Sequence, residues 1–376
     1  DNLTKNDLKS KNEFVLSEFL TDVFIYAVAK TDNTVETAFT KSIKKDFYAA
    51  YNPVANTIKF YEVTKPKTVA AIPLTSKGKF DKVFTPVSSE TLSISAKHDL
   101  QIFCLKFDDF DFDYHGLWKH LRNNIGYYVY SRAQIKTYME DDEISALAYD
   151  AIAYIKKAIS DGKLPTGNEL GELLLYIFLE QVLGAPKLMS KVEIGNHAGF
   201  MTSESSGIHL LTANEAVPFT QVILGTSMIN GDLQTAIDSA FSDAQKLKSR
   251  KKDERQFVES NIFAASFPTK IYDQLEAIIL PSETGSQKPA TAFGMFVGYS
   301  LSGVSASGKP VNEYQNDVLE QVRNDIKNNV SFIESKITQY GLDGYSMYIY
   351  LLPFADADED KKDIMDKLLQ SEGGQA

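Results

Sequence analysis

Apolar and polar positions along this chain change period from block to block, and one block organises the rest. GNELGELLLYIFLEQVLG (residues 167–184) is apolar almost all round and predicts a buried helix. KLMSKVEI, SSGIHLL and FTQVILGTSM follow as apolar runs of strand length, and GDLQTAID opens a second helix. Residues 167–238 therefore read as helix, three strands, helix.

Upstream, residues 1–12 form a polar tail. FVLSEFLTDVFIYAVAK is apolar with mixed period, which leaves helix and strand both open. TVETAFTKSIKKDFYAAY predicts a helix capped by Asp32, Asn33 or Thr34. TIKFYEV and TVAAIPL predict strands, and Ser76 to Ser95 predicts turns with a short hairpin. DLQIFCLKF is a strand pattern. RAQIKTYMEDDEISALAYDAIAYIKKAIS contains an amphipathic helix with Ile144, Leu147, Ala148, Ile152 and Ile155 on one face. The alternating Asp and Phe of residues 108–113 lack the spacing of a calcium loop and predict a solvated edge or loop.

Downstream, LQTAIDSAFSDAQKLKSRKKDERQFVESNIFA predicts a long helix. LEAIILP and TAFGMFVGYSL predict strand-bearing segments. EYQNDVLEQVRNDIKNNVSFIESKITQYG predicts an amphipathic helix ending at Gly341, and GYSMYIYLLPF a buried strand. DADEDKKDIMDKLLQ predicts a charged last helix, and no internal repeat is present.

Composition narrows the classes. At 376 residues with 43% hydrophobic and 24% charged content, the chain is globular and long enough for a sizeable core. The single cysteine, Cys104, excludes a disulfide framework and a Cys-based zinc site, and fits a reducing compartment. A net charge of -11 argues against a protein that coats DNA by charge alone, so any nucleic-acid contact is local or supplied by a partner. The opening DNLTKNDLKSKNEF lacks the apolar core of a signal peptide, and no apolar run reaches membrane-spanning length; a cytoplasmic protein without a membrane association is expected.

The candidate chemistry sits in the organising block. Glu169 and Glu172 share a face at the mouth of the apolar helix, where the helix dipole also favours acids. Lys191 falls on the first strand run, and His209 on the second as a lone histidine in an apolar strand. Lys246, Lys248, Arg250, Lys251 and Lys252 form the basic run suited to a phosphate backbone, or to a solvated helix end. A Mg²⁺ nuclease of the restriction-endonuclease type needs carboxylates on adjacent elements and a lysine beside the metal.

The order and spacing of GELLLYIFLEQVLGAPKLMSK, SSGIHLL and LGTSM resemble the HamA family, the nuclease subunit of Hachiman anti-phage defence systems. The matching residues are Gly171-Glu172, Lys191, Gly207 to His209, Leu224-Gly225, Asp232-Leu233 and Ala236-Ile237. DLQIFCLKF, GYSL and YIYLLPF also resemble the family, so the likeness runs from about Leu100 to Leu368. It implies an α/β fold: a restriction-endonuclease-like (PD-(D/E)xK) core, a mixed sheet flanked by helices, with an N-terminal α+β region. Residues 1–99 would form that region and 100–376 the nuclease-fold domain.

The departures fall on the chemistry. The family's strand Asp lands on Ser206, and its Glu-x-Lys lands on Thr226 and Met228. A hydroxyl is a poor stand-in for a carboxylate at Mg²⁺, and a thioether carries no positive charge. Glu204, two residues before Ser206, would be the replacement metal ligand beside Glu172. The resemblance thus implies a defence-complex subunit beside a HamB-like helicase, with cleavage impaired and DNA met through the complex. Two alternatives remain open: an active nuclease using Mg²⁺ with Glu172, Lys191, Glu204 and His209, or an interaction protein with no DNA role.

Overall fold

The structure, a computed structural model, describes residues 46–52, 57–63, 72–92, 98–161, 167–195, 205–213, 217, 219–258, 264–279 and 289–370, with backbone alone in 46–52, 57–63 and 250–258. Contacts divide the chain into two compact units, Asp1–Ala71 with Ser282–Ser286, and Ile72–Pro281 with Gln287–Ala376.

In the first unit, β1 (Asp46–Asn52) and β2 (Thr57–Val63) pair antiparallel, with Tyr48 opposite Tyr61. The strand β2 is the expected TIKFYEV. The expected helix over TVETAFTKSIKKDFYAAY is overturned in its last part, because DFYAAY lies in β1. Its aromatic residues suit a strand, and a cross-strand partner outweighs local helical spacing. The remainder of that expected helix, like FVLSEFLTDVFIYAVAK, lies outside the described residues.

The second unit is a mixed sheet with helices on both faces. Its strands are β3 (Phe84–Thr91), β4 (His98–Leu105), β7 (Lys187–Ser190), β8 (Gly207–Leu211), β9 (Gln221–Ile229), β10 (Ala290–Ser300) and β11 (Ser346–Phe354). They lie in the order β3-β4-β11-β10-β9-β8-β7. The centre, β4 to β9, is parallel, while β3, β8 and β7 join antiparallel. Every residue of β11 is buried, as in a strand covered on both faces. Two-residue strands β5 (Phe107–Asp108) and β6 (Asp111–Phe112) carry the Asp-Phe alternation as a tight edge turn.

The helices are α1 (Tyr114–Val129), α2 (Arg132–Glu140), α3 (Leu147–Ser160), α4 (Glu169–Gln181), α5 (Lys191–Gly195), α6 (Leu233–Val258), α7 (Thr269–Ile279), α8 (Val311–Gln339) and α9 (Ala357–Leu369). Helix α4 lies on one face of the sheet beside α1 and α9; α6 packs against β9 and β10 and touches α8. Alternation along the strands shows which face is which. A Cβ on Gly225 would meet Leu175 of α4, and one on Gly294 would meet Leu179 of α4. Phe293, next to Gly294, instead meets Tyr345 edge to face, and Lys248 of α6 lies over the Tyr345 ring.

Three further expectations change. Leu275–Ile279 of LEAIILP is the end of helix α7, with Leu275 and Ile279 buried four residues apart, a helical rather than strand spacing; Leu280 and Pro281 lie outside the described residues. Ile72–Leu74 of TVAAIPL has no regular structure; Pro73 there has no N–H to give to a ladder. Helix α3 begins at Leu147, which leaves Ile144 outside the helix and exposed. None of the described helices is long and apolar enough to cross a membrane.

Candidate functional site

Helix α4 is buried from Leu173 to Glu180, and its first turn carries the acids. Two glycines let it sit close to the sheet. A Cβ on Gly171 would lie 3.2 Å from the side chain of Ser227, and one on Gly225 only 2.7 Å from Leu175. This close approach brings the mouth of α4 down onto β8 and β9.

Glu172 opens into a small cleft lined by Tyr128, Glu169, Leu173, Lys191 and Val192. The Tyr128 hydroxyl donates to Glu172 Oε2 at 3.1 Å. Burial among apolar groups pushes the Glu172 carboxyl up to about 7, against the opposing effects of Lys191 and the Tyr128 hydrogen bond. Glu169 adds a like charge and itself accepts from the Gly167 N–H at 2.8 Å. The Tyr128 phenol is in turn held well above its ordinary range by burial and by these carboxylates. Glu172 and Lys191 thus line the same cleft.

Lys191 reaches the cleft by a different route from the one expected. The run KLMSKVEI is a strand only as far as Ser190, and Lys191 opens helix α5. Ser190 and Glu193 form a capping box: the Glu193 N–H donates to Ser190 Oγ at 3.1 Å, and the Ser190 N–H donates to Glu193 Oε2 at 2.8 Å. The Ser-x-x-Glu spelling was visible in the sequence and marks a helix start rather than a continuing strand.

On β9, Gly225 and Ser227 face α4, while Thr226 and Met228 turn to the α6 side. Thr226 pairs with Met295 and is buried, and its hydroxyl has no hydrogen-bond partner among the described residues. The residues at the mouth of α4 are Ser206 and Ser227, whose hydroxyls lie 3.1 Å apart. Asn168 joins them, donating to the Ser227 carbonyl at 2.7 Å and to Ser227 Oγ at 2.9 Å. Glu204 lies outside the described residues.

His209 also faces α4 but belongs to the core. It is 1% exposed, and its Nδ1 lies 2.9 Å from the Ala185 carbonyl, so that nitrogen carries the proton. Burial holds it down at about 4, a neutral imidazole at ordinary pH. The cleft beside Glu172 is lined by other residues.

Beside His209 lies a charged network that pattern reading missed: Arg132, Glu180, Lys187 and Glu193, all buried. The Glu180 carboxylate accepts from the N–H groups of Thr75, Ser76 and Lys187 and from the Thr75 hydroxyl. Lys187 Nζ donates to the carbonyls of Tyr127, Tyr128 and Tyr130 at the C-terminal end of α1, and pairs with Glu193 at 2.8 Å. Arg132 donates to the carbonyls of Lys187 and Pro73 and lies 3.7 Å from Glu180. Burial pulls the Lys187 pKa down, and Glu193 opposes it. A lone Glu in LLLYIFLEQVL was the available signal, since a charge on a buried helix demands partners.

The basic run is partly engaged. Lys246 pairs with Asp243 at 2.7 Å, and Lys248 donates to the Gly341 carbonyl at 2.6 Å, closing the end of α8. The side chains of Arg250, Lys251 and Lys252 lie outside the described part. Among the described residues, no three His, Cys, Asp or Glu side chains are grouped to hold a metal. At the mouth of α4 the described strand residues offer only two hydroxyls bonded to each other, a poor fit to Mg²⁺, while Glu169 and Glu172 line the adjoining cleft.

A model of the protein family HamA matches residues 78–368. No curated protein matches the chain.

Proposed function

Because this chain belongs to the HamA family, we propose that it is a subunit of a Hachiman-type anti-phage defence complex that has kept the nuclease fold and lost efficient cleavage. It then works by binding, to DNA through the complex and to a HamB-like helicase subunit. The observation that carries the impaired reading is the Ser206–Ser227 hydroxyl pair at the mouth of α4, where a carboxylate is required.

A second reading, an active nuclease dependent on Mg²⁺, is favoured by one observation: Glu172 and Lys191 line the same cleft. In that reading Glu204 supplies the missing carboxylate, and Lys191 orients the attacking water. The discriminating experiment incubates the chain with plasmid and Mg²⁺ or Mn²⁺, with and without a HamB-like helicase. We expect intact plasmid in every lane. Nicking that disappears in Glu172→Ala would overturn the impaired reading in favour of the second.

A further inference from the structure

Trp118 is the chain's single tryptophan, and cations gather round it. The Arg122 guanidinium lies 5.2 Å from its ring centroid and Lys367 Nζ 5.4 Å. The His115 ring stacks within 10° of parallel, with the centroids 6.3 Å apart. His115, Trp118, Lys119 and Arg122 follow one face of α1 at helical spacing, and α9, packed on α1, brings Lys367. These ring contacts join the two helices in one patch. Trp118 is half-buried, while His115, Lys119, Arg122 and Lys367 are exposed.

The charge of this patch is uncommitted. Helix α1 contains no acidic residue, in a chain that has 50. Among the described residues, Lys119, Arg122 and Lys367 form no ion pair. By contrast Lys136 pairs with Glu140, Lys157 with Asp161 and Lys246 with Asp243. Helix α9 also exposes Asp363 and Asp366, but Lys367 turns to the Trp118 ring rather than to Asp363 four residues before it.

Chemistry selects the occupant. A guanidinium stacked on an aromatic ring is held in place, and its N–H fork suits phosphate oxygens. Cations interleaved with aromatic rings track a nucleic-acid strand whatever its sequence. With a net charge of -11, the chain as a whole repels DNA, so a contact has to be local. We propose that the Trp118 patch of α1 and α9 holds the phosphate backbone of a DNA strand. The proposal rests on the reading of this chain as a DNA-binding subunit and gives that reading its surface.

The test follows the anisotropy of a labelled oligodeoxynucleotide at low salt, against the chain alone and against its complex with a HamB-like helicase. The chain alone should bind, and the fluorescence of its single tryptophan should change on saturation. Arg122→Gln and Lys367→Gln should each weaken that binding about fivefold, the scale of one exposed charge contact. Each should also lower the slope of log affinity against log salt by about one. Asp363→Asn should tighten binding, and Lys136→Gln on α2 should leave it unchanged. All of these positions are exposed, so melting temperatures should stay close to the wild-type value. DNA binding, by the chain or by the complex, that neither Arg122→Gln nor Lys367→Gln weakens would overturn the surface alone. No DNA binding by either would overturn the DNA-binding reading and the surface with it. Polyglutamate that displaces the oligodeoxynucleotide at equal charge would also overturn the proposal, by identifying the occupant as an acidic protein.

Discussion

Two of the acids on helix α4, Glu172 and Glu180, sit in different settings. Glu180, near its end, is sealed: backbone and hydroxyl donors from three residues satisfy it, with Arg132 alongside. Glu172, near its start, faces a cleft, with the Tyr128 hydroxyl on one oxygen and Lys191 nearby. The first arrangement locks elements together, since Glu180, Lys187 and Arg132 join the segment at Thr75, helix α1, strand β7 and helix α4. The second leaves a carboxyl poised between its charged and neutral forms. A buried charge with a full set of partners is part of the frame; one with a thin set is where binding or chemistry remains available.

That contrast can be broken most severely at Lys187. Lys187→Met removes the cation that closes α1 and leaves Glu193 buried without its partner. We expect a loss of about 3–5 kcal/mol in denaturant unfolding. A loss below about 1 kcal/mol would mean that the network is not part of the frame.

The next effect has the opposite sign. The Glu172 carboxyl is raised in the fold, from its ordinary 4.5 to about 7, so the folded state binds the extra proton. Its contribution is therefore least unfavourable at low pH, and stability falls as pH rises from about 4.5 to about 7. Glu172→Gln should flatten that dependence and stabilise the protein at pH 8 by about 1–2 kcal/mol, a figure reduced for the part of the side chain open to the cleft. An unchanged pH profile would show that Glu172 is as well satisfied as Glu180.

The smallest change sharpens the comparison. Tyr128→Phe removes the hydrogen bond that favours the charged form of Glu172. The midpoint of its titration should then move up by roughly one pH unit, the scale of a hydrogen bond to a charged group. A downward shift would mean that the phenol stabilises the neutral acid instead.

Much of the fold was visible in the pattern. The apolar run of α4, the strands β8 to β11 and the helices α6, α8 and α9 lie where periodicity placed them. The errors have local causes. LEAIILP is too short for periodicity to separate helix from strand, and its helical start lies upstream in Thr269–Leu275. KLMSKVEI hid a capping box inside an apolar run. DFYAAY followed a helical spacing but found a strand partner.

The site was visible in part. Glu172 and Lys191 were named from their positions and do share a cleft. Ser206 was also named, and it sits at the mouth of α4. The part played by Ser227 was not visible, because the face a strand residue takes depends on how its neighbours pack. Gly225 and Gly294 show that face only once Leu175 and Leu179 are in place.

The sequence by itself determined the order of elements, the family resemblance and the presence of an acid at the mouth of an apolar helix. These follow from local spacing and residue type, which need no partner to be read. Tertiary structure decided the rest: that Ser227 faces the helix while Thr226 and Met228 do not, that His209 is a neutral core residue, and that Lys187 closes α1. Each depends on groups far apart in sequence meeting in a low-dielectric interior, where pairing and burial set the charge state of a side chain.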